Sequence, residues 1–354
     1  MKAVVLKDNA CLEVEDMVNP PPLPDECTIE VGRVGVCSSD IARSHHSGAY
    51  FYPLVMGHEL AGTVIAVGKG VDRLSLGDRV AVFPLLPCFE CSSCTNKNYA
   101  QCYDYDYYGS RRNGGFAEAL NVKAWNLIRI PENVNLDDAA LTEPTAVVVH
   151  SIDRLFNSVK QPKSELLIIG AGFLGLLAID VLRLMYPGLK ITIVDRNAYK
   201  LKYAADLGAK TIEVINAEEW EELIIKRSDG FSYVLEASGT PEGFRNAIRL
   251  ARRGGAVCWM GNISGDLMIK QKEVSDILRR EITIVGTWNS SFQGQDPSDW
   301  TLTLNLMAEG LRPSRFVSHR VDLNGLAESL IHLADPGRRR TGGYIKVMVE
   351  NNYG

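Results

Sequence analysis

Between Leu166 and Gly175 the chain reads Leu-Leu-Ile-Ile-Gly-Ala-Gly-Phe-Leu-Gly, an apolar tetrapeptide running straight into the pattern G-x-G-x-x-G. No other stretch restricts the fold as tightly. Leu166 to Ile169 has the make-up of a buried strand. Gly170 permits the tight turn, Gly172 lets backbone approach a pyrophosphate, and Gly175 lets the following helix lie close on the strand. Amide groups at the helix start, around Phe173 and Leu174, then face the anion together with the positive end of the helix dipole. Alone the motif is weak evidence. Here a strand precedes it, a helix follows, and Asp195 stands twenty residues after Gly175 at the end of the next apolar run. A carboxylate there accepts hydrogen bonds from both ribose hydroxyls and repels a 2′-phosphate, so NAD is expected ahead of NADP. The adjacent Arg196 tempers that choice, because a guanidinium tolerates phosphate. The blander reading is a glycine-rich turn beside a solvated aspartate.

The surroundings repeat the same rhythm. Ile191 to Val194, Thr211 to Ile215, Tyr233 to Leu235 and Ala256 to Met260 read as strands, and Leu174 to Met185, Lys200 to Leu207, Glu218 to Arg227 and Glu242 to Ala251 read as helices. Alternation of this kind predicts an α/β domain with a doubly wound parallel sheet over residues 149–286. Residues 1–148 differ. Met1 to Leu6, Cys27 to Val36, Ala61 to Val67 and Arg79 to Phe83 are short strands ended by Gly and Pro, which predicts a compact β-rich domain of barrel or sandwich type. Residues 287–354 leave the alternating pattern, end in the strand-like Tyr344 to Val349, and are expected to rejoin the first domain. A length of 354 residues suits two domains.

Composition narrows the partners. With 46% hydrophobic and 23% charged residues the chain is that of a globular protein. The balance of 38 Lys and Arg against 43 Asp and Glu gives no footprint for nucleic acid, so a small-molecule partner is expected. Met1 to Ala10 carries no secretory signal. The longest apolar run, Leu166 to Ile179, is broken by its glycines and ended by Asp180, short of the ~20 residues a bilayer span needs. No membrane association is expected, and a cytoplasmic setting would keep the cysteines as thiolates.

Those cysteines are the second constraint. Cys88, Cys91, Cys94 and Cys102 leave gaps of two, two and seven residues, and they are half of the chain's eight. Two-residue gaps let one turning segment point three sulfurs inward while the fourth returns from a loop, the spacing of a tetrahedral zinc site. Four thiolates leave no open coordination position, so the metal would be structural. Scattered thiols or a disulfide pair are the alternative.

Two further residues, Cys37 in Cys-Ser-Ser-Asp and His58 in Gly-His-Glu, are bland singly: a core thiol and a hydrogen-bonded histidine. With Glu59 and Glu143 they supply the mixed sulfur, nitrogen and oxygen set of a catalytic zinc that keeps a position for water or substrate. Asp40 is suited to orient His58. Beside a nicotinamide, zinc would acidify an alcohol and favour hydride transfer from its carbon, with Ser39 as first acceptor of the hydroxyl proton.

Taken together, Gly35-Val36-Cys37-Ser38-Ser39-Asp40, Gly57-His58-Glu59, the four-cysteine lobe, Glu143-Pro144 and the glycine turn give a chain that resembles the zinc-dependent medium-chain alcohol and polyol dehydrogenases along nearly its whole length. The resemblance implies a GroES-like catalytic domain split around a Rossmann nucleotide-binding domain. It also implies catalytic zinc ligation by Cys37, His58 and one of Glu59 or Glu143, the ligating glutamate being able to change during turnover. A homodimer or homotetramer is the family habit. Pro84-Leu85-Leu86-Pro87-Cys88, Gln101-Cys102, the segment Gly109 to Phe116 and Leu278-Arg279-Arg280-Glu281 look like members acting on hexitol phosphates. Two positions depart from the pattern: many relatives place a histidine where this chain has Ala42, so that His45, His46 or water must complete the proton relay, and sorbitol-oxidising members carry an Arg-Tyr pair where this chain has Asn289-Ser290.

A phosphorylated substrate requires a cation, and Arg111, Arg112 and Arg43 are candidates, since a guanidinium fork donates paired hydrogen bonds to phosphate. An ordinary basic pair on a solvated turn is the other reading. The expected reaction is NAD-dependent oxidation of a polyol phosphate to a ketose phosphate. The rivals are a dehydrogenase of a free polyol, a vicinal diol or L-threonine, a zinc-lobed binding protein, and a nucleotide-binding protein without catalysis.

Overall fold

The computed structural model describes residues 1–337 and 343–351. The chain forms two compact units, one from Met1–Ala146 with Ser290–Gly354 and the other from Val147–Asn289.

In the first unit, the strand Glu26–Gly35 is the organiser. It pairs antiparallel with Glu59–Val67 on one side and with Lys346–Glu350 on the other, while Ala119–Lys123 pairs with its first half. Arg79–Val82 and Leu127–Arg129 extend the sheet beyond Glu59–Val67, and Val317–Val321 extends it beyond Lys346–Glu350. A smaller sheet joins Cys11–Asp16, Lys2–Asp8 and Leu54–Val55. Ile29, Val31 and Val34 share their core with Val4, Leu6, Val64 and Val82, all essentially inaccessible to water. The helix Leu323–Ala334 closes this core with Leu326, Leu330 and Leu333, one face at helical spacing, after Asp322 caps its start by accepting from the Gly325 amide at 2.8 Å.

The second unit holds a six-stranded parallel sheet in the order Lys210–Glu213, Lys190–Asp195, Glu165–Ile169, Phe231–Glu236, Ala251–Trp259, Thr283–Gly286. Numbered along the chain, that is 3-2-1-4-5-6, and the order reverses between Glu165–Ile169 and Phe231–Glu236, where such sheets place their ligands. Leu167, Ile169, Val234 and Val257 are buried, as expected of strands covered on both faces. The sequence pattern misses the helix Gln271–Arg279 and the edge strand Thr283–Gly286. The helix buries only Glu273, and the strand alternates half-buried with exposed residues, so neither carries a strong apolar signature. Among the described residues no helix is long and apolar enough to cross a membrane.

Candidate active site and metal centres

The four-cysteine lobe turns through Phe89 and Lys97, both in left-handed backbone conformations, and the short helix Ser92–Thr95 begins directly after Cys91. Sγ of Cys88 lies 3.9 Å from that of Cys94, and Sγ of Cys91 lies 3.9 Å from that of Cys102. Zinc–sulfur bonds of about 2.3 Å in a tetrahedron require sulfur separations of about 3.8 Å. Backbone amides already address the sulfurs: Cys88 N–H donates to Cys102 Sγ at 3.2 Å and Cys91 N–H to Cys88 Sγ at 3.4 Å. Amides of Tyr103 and Cys94 bring the Cys91 thiol down to about 6, whereas burial pushes Cys94 up to about 12. Four sulfurs so close ionise together only around a cation, and these residues fit a closed zinc site. Phe89 and Phe292 both meet Trp125 edge-on at 5.0 Å, seating the lobe on the first unit's core.

The second constellation is assembled at one end of the first unit's main sheet. Cys37 caps the helix Ser38–His45, and Asp40 reaches back to accept from the Cys37 amide at 3.0 Å. The other Asp40 oxygen lies 3.5 Å from His58 Nδ1. Burial disfavours the charged His58 ring, but Asp40 and Cys37 outweigh it and raise its pKa well above the ordinary value. Gly57 precedes it at a φ of +91°, where a Cβ would strike the Phe116 ring at 2.7 Å. Ligand atoms of Cys37, His58 and Glu59 lie within 4.8 Å of one another.

Glu143, near the start of the helix Thr142–Ser158, is buried and accepts from the Tyr107 hydroxyl at 3.5 Å. Burial is the main reason its pKa rises to about 7, opposed by His58 and reinforced by Glu59. Tyr107 meets His58 edge-on at 5.8 Å. One sulfur, one imidazole and two carboxylates are a donor set suited to a catalytic zinc. The two glutamates differ in their commitments, however. Glu59 is gripped by the buried Lys346, whose Nζ lies 2.7 Å from one carboxylate oxygen and 2.5 Å from the other.

The remaining candidates divide. Ser39 is half-buried on the Cys37 helix, and its carbonyl accepts from Arg43 at 3.4 Å. Among the described residues no contact joins its hydroxyl to His45 or His46. Nδ1 of His45 shares a hydrogen bond with the Ser44 hydroxyl at 2.7 Å. Arg43 also faces Asp40 at 3.7 Å, and Arg112 pairs with Asp106 at 2.6 Å, so neither is an idle cation. Arg111 is different. Its guanidinium lies over the Tyr105 ring at 4.3 Å and the Tyr50 ring at 5.0 Å, it donates to the Tyr105 carbonyl at 3.0 Å, and no carboxylate pairs with it among the described residues. Ser290 is buried and accepts from the Trp300 indole at 3.0 Å, a structural contact. Sequence reasoning missed Lys346 and Tyr107. A single lysine opening an otherwise apolar strand was the available signal for the first, and a cluster of tyrosines gave none for the second.

In the second unit, Gly170 has a φ of +104° and no room for a Cβ, which would sit 2.8 Å from Ser238 backbone, and a Cβ on Gly175 would lie 1.9 Å from the Gly170 carbonyl oxygen. Gly172, which caps the helix Phe173–Met185, faces open space instead. Its lack of a side chain is therefore not required by the protein's own packing, and it leaves a cradle that fits a pyrophosphate. Phe173 is buried, Leu174 half-buried and Arg196 exposed. Asp195 accepts from the Ala171 amide at 2.6 Å and the Asn197 amide at 2.8 Å, and its remaining lone pairs can accept ribose hydroxyls.

Residues 23–132 match the alcohol dehydrogenase GroES-like domain family, and residues 174–309 match the zinc-binding dehydrogenase family. The chain is 33% identical to galactitol 1-phosphate 5-dehydrogenase of Escherichia coli K12 over 94% of this chain and 96% of that one. It is 31% identical to sorbitol dehydrogenase of Bacillus subtilis over 74% and 75% of the two chains. A crystal structure of the Escherichia coli galactitol-1-phosphate dehydrogenase superposes with a TM-score of 0.87 at 32% identity, covering 99% of this chain and all of that one.

Proposed function

Because the chain belongs to the zinc-dependent medium-chain alcohol and polyol dehydrogenases, with a GroES-like domain and a Rossmann-type domain, we propose that it oxidises a secondary alcohol of a polyol phosphate to a ketose phosphate using NAD. The observation that carries the phosphate is Arg111. It is the one guanidinium of the three candidates without a carboxylate partner, its plane is preset by Tyr50 and Tyr105, and Tyr105 meets Tyr107, which meets His58, through edge-on ring contacts at 6.3 and 5.8 Å. A substrate with its reacting carbon at the Cys37–His58 set and an anion some carbons away suits that line. Relatedness to enzymes named for a phosphorylated and for a free hexitol leaves both classes within the family.

Cys37, His58 and a glutamate would hold a zinc that would supply Lewis acidity toward the hydroxyl, and the glycine turn would hold NAD, which would supply the hydride acceptor. The chain's own residues do the rest. Asp40 fixes His58 in one ring orientation. In this reading Ser39, which follows Cys37 by two residues, takes the hydroxyl proton and passes it outward through water, since Ala42 offers no imidazole. Tyr107 and Glu143 line the site, and Arg111 orients the far end. Asp195 selects the ribose without phosphate. Cys88, Cys91, Cys94 and Cys102 hold a structural zinc. A cytoplasmic homo-oligomer is part of the same reading.

The test is NADH formation from galactitol 1-phosphate, sorbitol 6-phosphate and their unphosphorylated parents, with L-threonine and 2,3-butanediol alongside. Preference for a phosphorylated member is the expected result. Preference for a free alcohol would leave zinc and NAD in place and remove the phosphate.

A further inference from the structure

Glu236, in the second unit, is a buried acid to which the reaction gives no part. It ends the strand Phe231–Glu236 and stands in register beside Ile169, the residue that leads into the glycine turn. None of its surface is exposed, and no cation pairs with it among the described residues. Burial raises its pKa, and only hydrogen bonds from nearby backbone and Ser238 oppose the rise.

A carboxylate in such a place is costly unless its oxygens are occupied. One oxygen accepts from the Ser238 amide at 2.8 Å, the Gly239 amide at 3.2 Å and the Ser238 hydroxyl. The other is packed against Gly261, where a Cβ would lie 2.7 Å from it. The Ser238 hydroxyl also meets that of Thr240 at 2.9 Å, and Thr240 caps the helix Pro241–Leu250 by accepting from the Gly243 amide at 3.0 Å. One side chain thereby fixes residues 237–239, which are half-exposed and belong to no strand or helix. An apolar residue would end the strand at less cost and leave them unheld.

Those residues back the glycine turn. Ala237 N–H donates to the Ile169 carbonyl at 2.9 Å, and the Ser238 backbone is what a Cβ on Gly170 would strike. Gly170 therefore takes its shape against a surface that Glu236 sets, at the point where the sheet reverses its strand order.

We propose that Glu236 is a positioning residue for the cofactor: its carboxylate holds Ser238 and Gly239 as the wall against which Gly170 closes, and so aims the amides of the glycine turn at a pyrophosphate. It acts through that loop. The assignment rests on the reading of the glycine turn as a dinucleotide site.

The experiment measures binding of NADH by energy transfer from tryptophan, and of ADP-ribose and adenosine by displacement of NADH, alongside the melting temperature. Glu236→Gln keeps the volume and removes the charge. It should weaken NADH and ADP-ribose in step, by about tenfold or more, while adenosine, which has ribose hydroxyls but no phosphate, changes by less than about twofold. Ser238→Ala, a milder change at a half-exposed position, should weaken the same two ligands several-fold. The double variant should bind no more weakly than Glu236→Gln alone, because the hydroxyl acts through the carboxylate. Equal losses for all three ligands would overturn the proposal, as would a lowered melting temperature with unchanged NADH affinity. Should Glu236→Gln fail to fold, unchanged ADP-ribose affinity in Ser238→Ala would overturn it. Absence of NADH binding by the unsubstituted protein would instead sink the dinucleotide reading itself.

Discussion

Asp40 ties Cys37 to His58: one of its oxygens accepts from the Cys37 amide at 3.0 Å and the other stands 3.5 Å from His58 Nδ1, with no part of the carboxylate exposed. Two candidate ligands from different elements are thereby registered against each other before any metal arrives. Asp40→Asn keeps the volume and removes the charge. Retention of the catalytic metal is expected to weaken by about ten- to a hundredfold, the usual cost of losing a group that orients a ligating histidine. Competition against a calibrated chelator reads this directly, and unchanged retention would mean that His58 is not a ligand.

The two metal centres should separate by substitution. Cys94→Ser and Cys37→Ser are each expected to reduce zinc from two ions to one per chain, measured by elemental analysis. Only Cys94→Ser should lower the melting temperature substantially, by roughly 5 °C or more, the shift that about 2 kcal/mol produces in a domain of this size. Equal thermal effects would contradict the division into a structural and a catalytic ion.

Asp195 offers a cofactor test. Asp195→Ala removes the acceptor for ribose hydroxyls and the charge that repels a 2′-phosphate. NAD binding should weaken by about tenfold or more, the value of a charge-assisted hydrogen bond, while NADP improves relative to NAD. Titration of protein fluorescence with each nucleotide measures the ratio. A ratio that does not move would place the ribose elsewhere.

Arg111→Ala should cost about ten- to a hundredfold in kcat/KM for a phosphorylated substrate and little for its unphosphorylated parent. Arg112→Ala should leave that discrimination intact, because its guanidinium is engaged by Asp106. Equal losses on both substrates in the Arg111 variant would make the residue part of the loop's packing.

Arg245 holds Glu273 through hydrogen bonds of 2.6, 3.0 and 3.1 Å, and this contact is the chief reason the carboxyl titrates below its ordinary 4.5. A depressed pKa contributes stability that is present above pH 4.5 and lost as pH falls through the folded-state value. Glu273→Gln is therefore expected to destabilise the protein by about 1–3 kcal/mol near neutrality. The difference from the unsubstituted protein should shrink in acid, as urea unfolding at a series of pH values would record.

What could be read in the sequence follows from how local each signal is. The glycine turn, the alternating strands and helices of residues 149–286 and the four cysteines are all patterns within a few dozen residues, and such patterns carry their geometry with them. Cys37, His58 and Glu143 are scattered, and resemblance grouped them more than spacing did. Lys346 was illegible for a physical reason: a lysine at the start of an apolar strand looks like a solvated end until the strand's partner is known. The same holds for Arg111 and Arg112, adjacent in sequence, of which one meets a carboxylate and the other two aromatic rings. Val317–Val321 and Leu323–Ala334 lay within a segment whose return was expected but whose elements its polar interruptions concealed.

The strand Lys346–Glu350 also sets an order of events during synthesis. Residues 147–289 are contiguous, so the second unit has every part it needs while the ribosome is still at work. The first unit does not. Its sheet waits at the edge of Glu26–Gly35, and Glu59 waits for its ammonium, until Lys346–Glu350 has emerged. A nascent chain stalled or clipped before Lys346 would carry a complete second unit while the first still exposes an unpaired strand edge and lacks the ammonium for Glu59, and open edges of that kind invite wrong pairing.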